Sequence, residues 1–126
     1  MRLLLDTHVY LWWLAADARL GGEARRVIAD HASIVHVSAA TIWEAGIKLA
    51  LGRLDAGGAD LVQEIGANGF TELPVTARHA WAASQLPPHY RDPFDRVLVA
   101  QAQKEHLRLI TADAVLAKYE VDALRV

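Results

Sequence analysis

Short apolar segments alternate with helical segments along the whole chain, and this alternation constrains the fold more than any other feature. The first segment, Leu3 to Leu5, is continuously apolar, which is typical of a strand buried on both faces. Further strands are expected at Ile34 to Val37, Phe70 to Val75, Leu107 to Ile110 and, at an edge, Val121 to Val126. Strands separated by helices favour a parallel sheet covered on both faces. The sequence therefore predicts an α/β protein with three layers, α/β/α, around a central parallel sheet.

Capping and helix-breaking residues mark the helices between these strands. Ser38 and Thr76 are residue types preferred at N-caps, and Gly52 is a natural helix end. Pro87-Pro88 should terminate the helix that Thr76 begins. The expected helices are Val9 to Ala15, Glu23 to Asp30, Ala39 to Leu51, one carrying Leu61, Val62 and Ile65, one after Thr76, one from Asp92-Pro93 to about His106, and Ala114 to Tyr119.

Length and composition describe one compact domain. The chain has 126 residues, 53% of them hydrophobic and 22% charged, and no linker divides it, so residues 1–126 are interpreted as a single domain. The absence of cysteine excludes disulfides, thiolate catalysis and cysteine-based metal sites. The longest later apolar run, Val9 to Ala16, is too short to span a bilayer. We expect a soluble, cytoplasmic protein without a membrane partner.

Two carboxylates lie at or just after the ends of predicted strands. Asp6 ends the first strand, and Asp113 follows the strand Leu107 to Ile110 after two residues. Either residue alone is explained as a helix N-cap. Two strands that end in the same way at one sheet edge exceed what capping requires, and chemistry gathers at the carboxyl ends of strands in open α/β sheets. Asp6 and Asp113 are therefore candidate catalytic residues.

Two further acids are expected at the same edge. Glu44 lies early in the helix after the second strand, among apolar neighbours, and helical side chains lean toward the N-terminus. In Asp92-Pro93-Phe94-Asp95, capping explains Asp92 fully, whereas Asp95 also opens an apolar helix. Asp95 is the third candidate ligand, Asp92 a peripheral one, and His8 a neighbour that could support Asp6.

Four converging carboxylates would repel one another unless a cation compensated their charge. Oxygen ligands without cysteine or a His-x-x-x-His pair favour Mg²⁺ or Mn²⁺ over zinc. A metal site of this kind best serves phosphoryl transfer by a metal-activated water, without a protein nucleophile. The formal net charge of -2 does not argue against a phosphodiester substrate, because metal ions can screen the phosphate.

Four segments in order resemble the PIN domain, specifically the VapC-type ribonuclease toxins of type II toxin-antitoxin pairs. They are Leu3 to His8, Ser38 to Ile47, Asp92 to Ala102 and Leu109 to Asp113, and they spread over nearly the whole chain. Each segment alone is weak evidence, whereas the ordered set is specific.

The resemblance implies a PIN-like nuclease domain that cleaves RNA with Mg²⁺ or Mn²⁺. Its acidic site would consist of Asp6, Glu44, Asp95 and Asp113, as both catalytic and metal-binding residues. Thr7 and Thr111 would match hydroxyl positions that orient a ligand carboxylate or a water. It further implies a homodimer and a cognate antitoxin, whose C-terminal segment would cover the active-site groove. Candidate phosphate contacts are Lys48, Arg53, Arg91 and Arg96.

Other functions fit the sequence less well. A phosphatase with an aspartyl nucleophile expects a second Asp two residues after the first, where this chain has His8. A phosphoacceptor receiver domain expects paired acids after the first strand, which are absent. A PIN-like module that binds RNA or a protein without cutting stays open, although the presence of all four acids argues against it. Single-stranded or loop RNA is the favoured substrate class.

Overall fold

Five parallel strands form one sheet in the order β3-β2-β1-β4-β5 in a computed structural model that describes residues 1–89 and 92–126. Leu5 in the central strand is in register with Val37 on one side and Ile110 on the other. The carboxyl ends of β1, β2 and β4 therefore meet at one edge. The strands are β1 (Arg2–Leu5), β2 (Ile34–Ser38), β3 (Thr71–Leu73), β4 (Arg108–Thr111) and β5 (Ala123–Arg125).

Helices cover both faces of this sheet, as the alternation predicted. Successive residues of a strand point to opposite faces. Leu3 and Leu5 accordingly pack in one core cluster and Leu4 in another, and all three are completely buried. The helices are α1 (Thr7–Leu14), α2 (Gly22–Ala29), α3 (Ala39–Ala50), α4 (Leu61–Ala67), α5 (Ala77–Ser84) and α6 (Pro93–Glu105), followed by a 3₁₀ helix at Ala114–Lys118.

The two core clusters belong to different helices. Residues of α1, α2 and α4 pack with Leu3 and Leu5, whereas α6 and the 3₁₀ helix pack with Leu4. The three-layer α/β/α prediction is thereby confirmed. Within the described ranges, none of the helices is both long and apolar enough to cross a membrane.

Several element boundaries differ from the predicted ones. Helix α1 begins at Thr7 rather than Val9, because the carboxylate of Asp6 already caps it. Strand β3 ends at Leu73 rather than Val75, since the next residue is a proline without an N–H for the ladder. The segment expected as a helix at Ala114 to Tyr119 is a 3₁₀ helix. Strand β5 is a short edge strand, as expected, although it spans only Ala123–Arg125.

The aromatic residues of α1 differ in their burial. Trp12 and Trp13 are half-buried and pack against the edge of the core, whereas Tyr10 is the fully buried aromatic residue of this helix. The Tyr10 hydroxyl donates a 2.7 Å hydrogen bond to the Leu61 carbonyl, which satisfies the buried phenol and ties α1 to α4.

Candidate active site

An open pocket of about 340 Å³ lies at the carboxyl edge of the sheet. The four acids predicted from the sequence all line it, together with the peripheral candidate Asp92. The lining residues are Asp6, Thr7, His8, Glu44, Lys48, Asp92, Asp95, Ala112, Asp113 and Ala114. Residues from four separate segments of the chain are thus brought together by the topology of the sheet.

Asp6 is held at the end of β1 by contacts to both of its oxygens. Its Oδ1 accepts a 2.8 Å hydrogen bond from the Val9 amide, which caps α1. Its Oδ2 accepts hydrogen bonds from the Thr111 hydroxyl at 2.6 Å and from the Ala112 amide at 3.3 Å. Burial raises the pKa of Asp6, and the contacts with Thr111 and Val9 partly offset this effect. Asp6 is 5% exposed, and these three hydrogen bonds hold its carboxylate in place.

Glu44 is buried, not a solvated surface residue. Its Oε1 accepts a 2.6 Å hydrogen bond from the Thr7 hydroxyl, and its Oε2 pairs with Lys48 Nζ at 2.7 Å. Lys48 lies one helical turn further along α3, where a residue four positions on faces the same side. The buried carboxylate therefore carries a hydroxyl on one oxygen and a cation on the other, while only 4% of Glu44 is exposed.

The pKa of Asp95 depends on the other acids of the pocket. Burial in the first turn of α6 and, after it, the charges of Asp92, Glu44, Asp6 and Asp113 in that order together raise the pKa of Asp95 to about 7. Mutual repulsion of this kind is the effect expected when carboxylates converge without a bound cation. The pocket is consequently a place where added positive charge would be strongly favoured.

Three of the acids in the pocket also cap helices. Asp6 caps α1, Asp92 caps α6 through the Phe94 amide at 2.8 Å, and Asp113 caps the 3₁₀ helix through the Val115 amide at 2.8 Å. The capping role of these acids is therefore compatible with a functional role in the pocket. Helix N-termini carry partial positive charge, which stabilises carboxylates at this edge.

The hydroxyls of Thr7 and Thr111 bind the acids that the resemblance suggested they would orient. Thr7 donates to Glu44, and Thr111 donates to Asp6 while accepting a 3.0 Å hydrogen bond from the Asp113 amide. Thr41, which the sequence analysis did not select, is buried with its hydroxyl 3.4 Å from that of Thr7. The position of Thr41, three residues after the cap of α3, is the signal that could have identified it.

The candidate phosphate contacts have different outcomes. Lys48 lies in the pocket but is paired with Glu44, a pairing that the four-residue spacing could have revealed. Arg96 instead donates to the carbonyls of Ala83, Leu86 and Pro87 and so holds the segment after α5. Arg53 is exposed beyond α3 and does not line the pocket, and Arg91 lies outside the described residues. His8 is exposed at the pocket wall.

The donors in this pocket suit a hard divalent cation by their chemistry. They are carboxylate oxygens, the ligands that Mg²⁺ and Mn²⁺ prefer, and after burial their mutual repulsion contributes to the raised pKa of Asp95. In the part of the chain that is described, no three acidic or histidine side chains already stand at metal-ligand distances from a common point. Glu44 would therefore have to exchange its contact with Lys48 for a cation.

Comparisons with known proteins agree on one family. The family model of the PIN domain matches residues 3–122. A curated relative, Ribonuclease VapC22 of Mycobacterium tuberculosis, is 31% identical over 125 residues, which cover 93% of this chain and 91% of that protein.

Solved structures share the fold at low sequence identity. The VapBC2 structure from Rickettsia felis, bound to a DNA fragment from its promoter, has a TM-score of 0.76 at 10% identity and covers 99% of this chain and 98% of that one. PAE2754 from Pyrobaculum aerophilum has a TM-score of 0.63 at 20% identity, with coverage of 100% and 90%.

Proposed function

Because the chain belongs to the PIN domain family and is of the VapC type, we propose that it is an endoribonuclease that hydrolyses RNA phosphodiesters as the toxin of a toxin-antitoxin pair. The observation that carries this proposal is the convergence of Asp6, Glu44, Asp95 and Asp113 in one pocket. The described residues that line this pocket include no cysteine or serine, and hydrolysis by water fits its chemistry.

Asp6, Glu44, Asp95 and Asp113 would hold Mg²⁺ or Mn²⁺ in this proposal. A bound divalent ion supplies a water of lowered pKa and positive charge for the leaving oxygen. The chain's own contribution is orientation. The Thr111 hydroxyl and the Ala112 amide fix Asp6, and the Thr7 hydroxyl fixes Glu44, so that two acids keep their places without the ion.

Lys48 has a second part in the proposed reaction. Its ammonium forms an ion pair with Glu44 at 2.7 Å. An ion that displaced it would leave the ammonium free at the pocket wall, where a phosphate oxygen of the RNA is its natural partner. Lys48 would thus bind the substrate only when the acids are already charge-compensated, and we assign it to substrate positioning.

The function is tested by incubating the purified chain with an end-labelled pool of structured RNAs and adding Mg²⁺, Mn²⁺ or EDTA. We expect endonucleolytic products with either metal and none with EDTA. Asp6→Asn should preserve the fold and lower cleavage by at least about a hundredfold, because the amide cannot supply the negative charge. The matched control is Asp55→Asn, an exposed acid whose side chain caps a turn at Gly57 outside the pocket.

Two results would contradict the proposal. An Asp6→Asn protein that still cuts would remove the acidic pocket from the mechanism. A folded wild-type chain that binds Mn²⁺ but cuts no RNA would favour a binding module without catalysis, the alternative left by the sequence. Loss of activity in Asp55→Asn as well would indicate general damage to the fold.

The biological setting belongs to the same proposal. We infer that residues 1–126 act as one nuclease domain in the cytoplasm, bound to a cognate antitoxin until released. A protein antitoxin that covers the acidic pocket would protect the amide of Ala112 and its neighbours from hydrogen exchange. If the exchange rates of these amides were the same in the free and the antitoxin-bound chain, the antitoxin would bind elsewhere.

A homodimer is also proposed, and an exposed apolar face supports it. Trp43 is 67% exposed and packs edge-on against Phe94, with ring centroids 5.1 Å apart. Both rings line an apolar concavity of about 280 Å³ together with Val75, which is itself exposed. Contiguous apolar surface of this kind marks interaction sites. Trp43→Glu should convert a dimer into a monomer by light scattering, whereas Trp81→Glu, on another face of the chain, should not.

A further inference from the structure

A cleft of about 660 Å³ lies away from the acidic pocket, between α5, α6 and the 3₁₀ helix, and is larger than that pocket. Its walls carry three basic side chains, Arg78, Lys104 and Lys118. None of the three forms an ion pair with another residue of the described ranges 1–89 and 92–126. One acid, Glu120, also lines the cleft, so positive charge prevails there.

Aromatic rings interleave with these cations. Trp81 is 71% exposed, the largest exposed fraction among the big apolar side chains of the described chain, and it stands on the same face of α5 as Arg78. Across the cleft the ring of His89 packs edge-on against the ring of Tyr119, with centroids 5.1 Å apart. An exposed indole beside unpaired cations offers both a flat stacking surface and charge.

The cleft and the acidic pocket are joined by the 3₁₀ helix. Ala114 at the start of this helix lines the acidic pocket, and Lys118 at its end lines the cleft. With a rise of about 2 Å per residue, the helix separates the two by roughly 8–10 Å. A short extended strand can therefore occupy the cleft while its neighbouring backbone reaches the acids.

We propose that this cleft binds the single-stranded RNA that flanks the scissile phosphate. The inference rests on the proposed function and adds the surface that supplies affinity for the substrate. The acidic pocket repels a polyanion, and its one lysine is paired with Glu44, so cations outside the pocket must draw the RNA to the chain. Positive grooves with aromatic stacking surfaces are the usual means of binding single strands.

The chemistry favours RNA over a protein segment as the occupant. The exposed indole can stack on any base, and the three cations line the cleft from three different elements, α5, α6 and the 3₁₀ helix. An acidic protein segment would use the cations but would leave the indole without a planar partner. Binding of an acidic protein segment is therefore treated as an alternative outcome of the test.

The first test measures binding separately from cleavage. A fluorescent pool of short single-stranded RNAs of random sequence is titrated with the chain in EDTA, and anisotropy is recorded. Trp81→Ala should weaken binding on the order of tenfold through lost stacking. Lys104→Glu combined with Lys118→Glu should lower the slope of log affinity against log salt by about 1.4, because two phosphate contacts are lost.

Matched controls lie on the opposite face of the sheet. Arg26→Glu on α2 reverses one exposed charge, and Val62→Ala on α4 removes an exposed apolar side chain. Both should leave the affinity and the salt slope unchanged. The exposure of Trp81 and of the two lysines makes their variants compatible with folding, which thermal denaturation verifies.

The second test locates the RNA. Pools containing 4-thiouridine are irradiated with the wild-type chain in EDTA, and we expect cross-linked peptides that contain Trp81 or His89. Cross-links confined to α1 or α3, or cleft variants that bind RNA as the wild type does, would overturn the inference. Wild-type RNA affinity in these variants together with lost binding of a protein antitoxin would assign the cleft to that protein instead.

Failure of this inference and failure of the proposed function are distinguishable. If the wild type cuts RNA with Mg²⁺ and the cleft variants cut with unchanged KM, the nuclease stands and the cleft does not bind substrate. If the wild type cross-links through the cleft but cuts nothing, the cleft binds RNA and the nuclease proposal fails. A wild-type chain that binds no RNA at all overturns the inference directly.

Discussion

The Thr111 hydroxyl donates a 2.6 Å hydrogen bond to Asp6 Oδ2 and so links the carboxyl ends of two adjacent strands across the sheet. The same hydroxyl accepts a hydrogen bond from the amide of Asp113. One buried oxygen therefore aligns two acids of the pocket, and its removal should affect both stability and chemistry.

Thr111→Val should destabilise the chain by about 1–3 kcal/mol, because the replacement keeps the shape but removes the shortest hydrogen bond to Asp6 Oδ2 and the acceptor of the Asp113 amide. It should also raise the pKa of Asp6 further, since the Thr111 hydrogen bond lowers that pKa in the wild type. The acid limb of the pH-rate profile should consequently move to higher pH. Thr71→Val, at an exposed position of β3, is the control and should change neither quantity.

Stability of the metal-free chain should fall as pH rises from about 4 to about 7. The pKa of Asp95 is about 7 in the folded chain, against 3.8 for an unperturbed Asp, so in this window the folded state binds more protons than the unfolded state. Urea denaturation in EDTA at several pH values measures the slope. Asp95→Asn should flatten it, and saturating Mn²⁺ should do so as well, because the cation stabilises the ionised form.

An acid outside the pocket gives the control for this pH dependence. The hydrogen bond with Arg19 holds the pKa of Asp17 at about 2, so Asp17 stays ionised throughout the window. Asp17→Asn should therefore leave the slope unchanged. A slope that persists in Asp95→Asn would mean that another group, such as the buried Asp6, dominates the titration.

Lys48→Met should raise the affinity for Mn²⁺ on the order of tenfold while lowering cleavage. The ammonium competes with an added cation for Glu44 Oε2, and its partial exposure keeps the effect modest. Isothermal calorimetry gives the affinity, and single-turnover cleavage gives the rate. Arg53→Met, which removes a charge outside the pocket, should alter neither, and an unchanged affinity in Lys48→Met would show that Glu44 is not a ligand.

His106→Gly should stabilise the chain by about 0.5–1 kcal/mol. His106 ends α6 with φ 55° and ψ 49°, the left-handed conformation that glycine adopts without strain. His106→Ala retains a Cβ and should not be stabilising. The denaturant midpoints of the two variants and the wild type measure this effect. Equal midpoints for His106→Gly and His106→Ala would show that backbone strain at this position does not affect stability.

Local signals in the sequence were sufficient for the fold. The unbroken run Leu3 to Leu5 identified a strand buried on both faces, and Ser38 and Thr76 identified helix starts that the structure contains. Boundaries were less secure. The start of α1 at Thr7 depends on the carboxylate of Asp6 acting as a cap, which the choice of Val9 overlooked.

The pocket could be predicted as a set of acids but not as an electrostatic unit. Asp6, Glu44, Asp95 and Asp113 were selected from strand ends and apolar neighbours, and the structure brings them together. The strength of their coupling depends on burial and on distances through space, which spacing along the chain does not encode. The roles remain a prediction until variants are assayed.

The basic cleft had no signal in the sequence. Arg78, Lys104 and Lys118 come from three segments, and no motif joins them. Arg96, by contrast, was a candidate phosphate contact because it follows Asp95, yet it donates to three backbone carbonyls. Proximity along the chain is a poor guide for long flexible cations, whose heads lie far from their own backbone.

The pairing of β1 with β4 determines when the acidic pocket can form during synthesis of the chain. Asp6 and Thr111 are 105 positions apart, so a growing chain carries its first acid long before the hydroxyl that orients it has been made. Until β4 emerges from the ribosome and joins β1, Asp113 and its neighbours have no edge on which to meet Asp6. The acidic pocket therefore cannot assemble until nearly the whole chain has been synthesised.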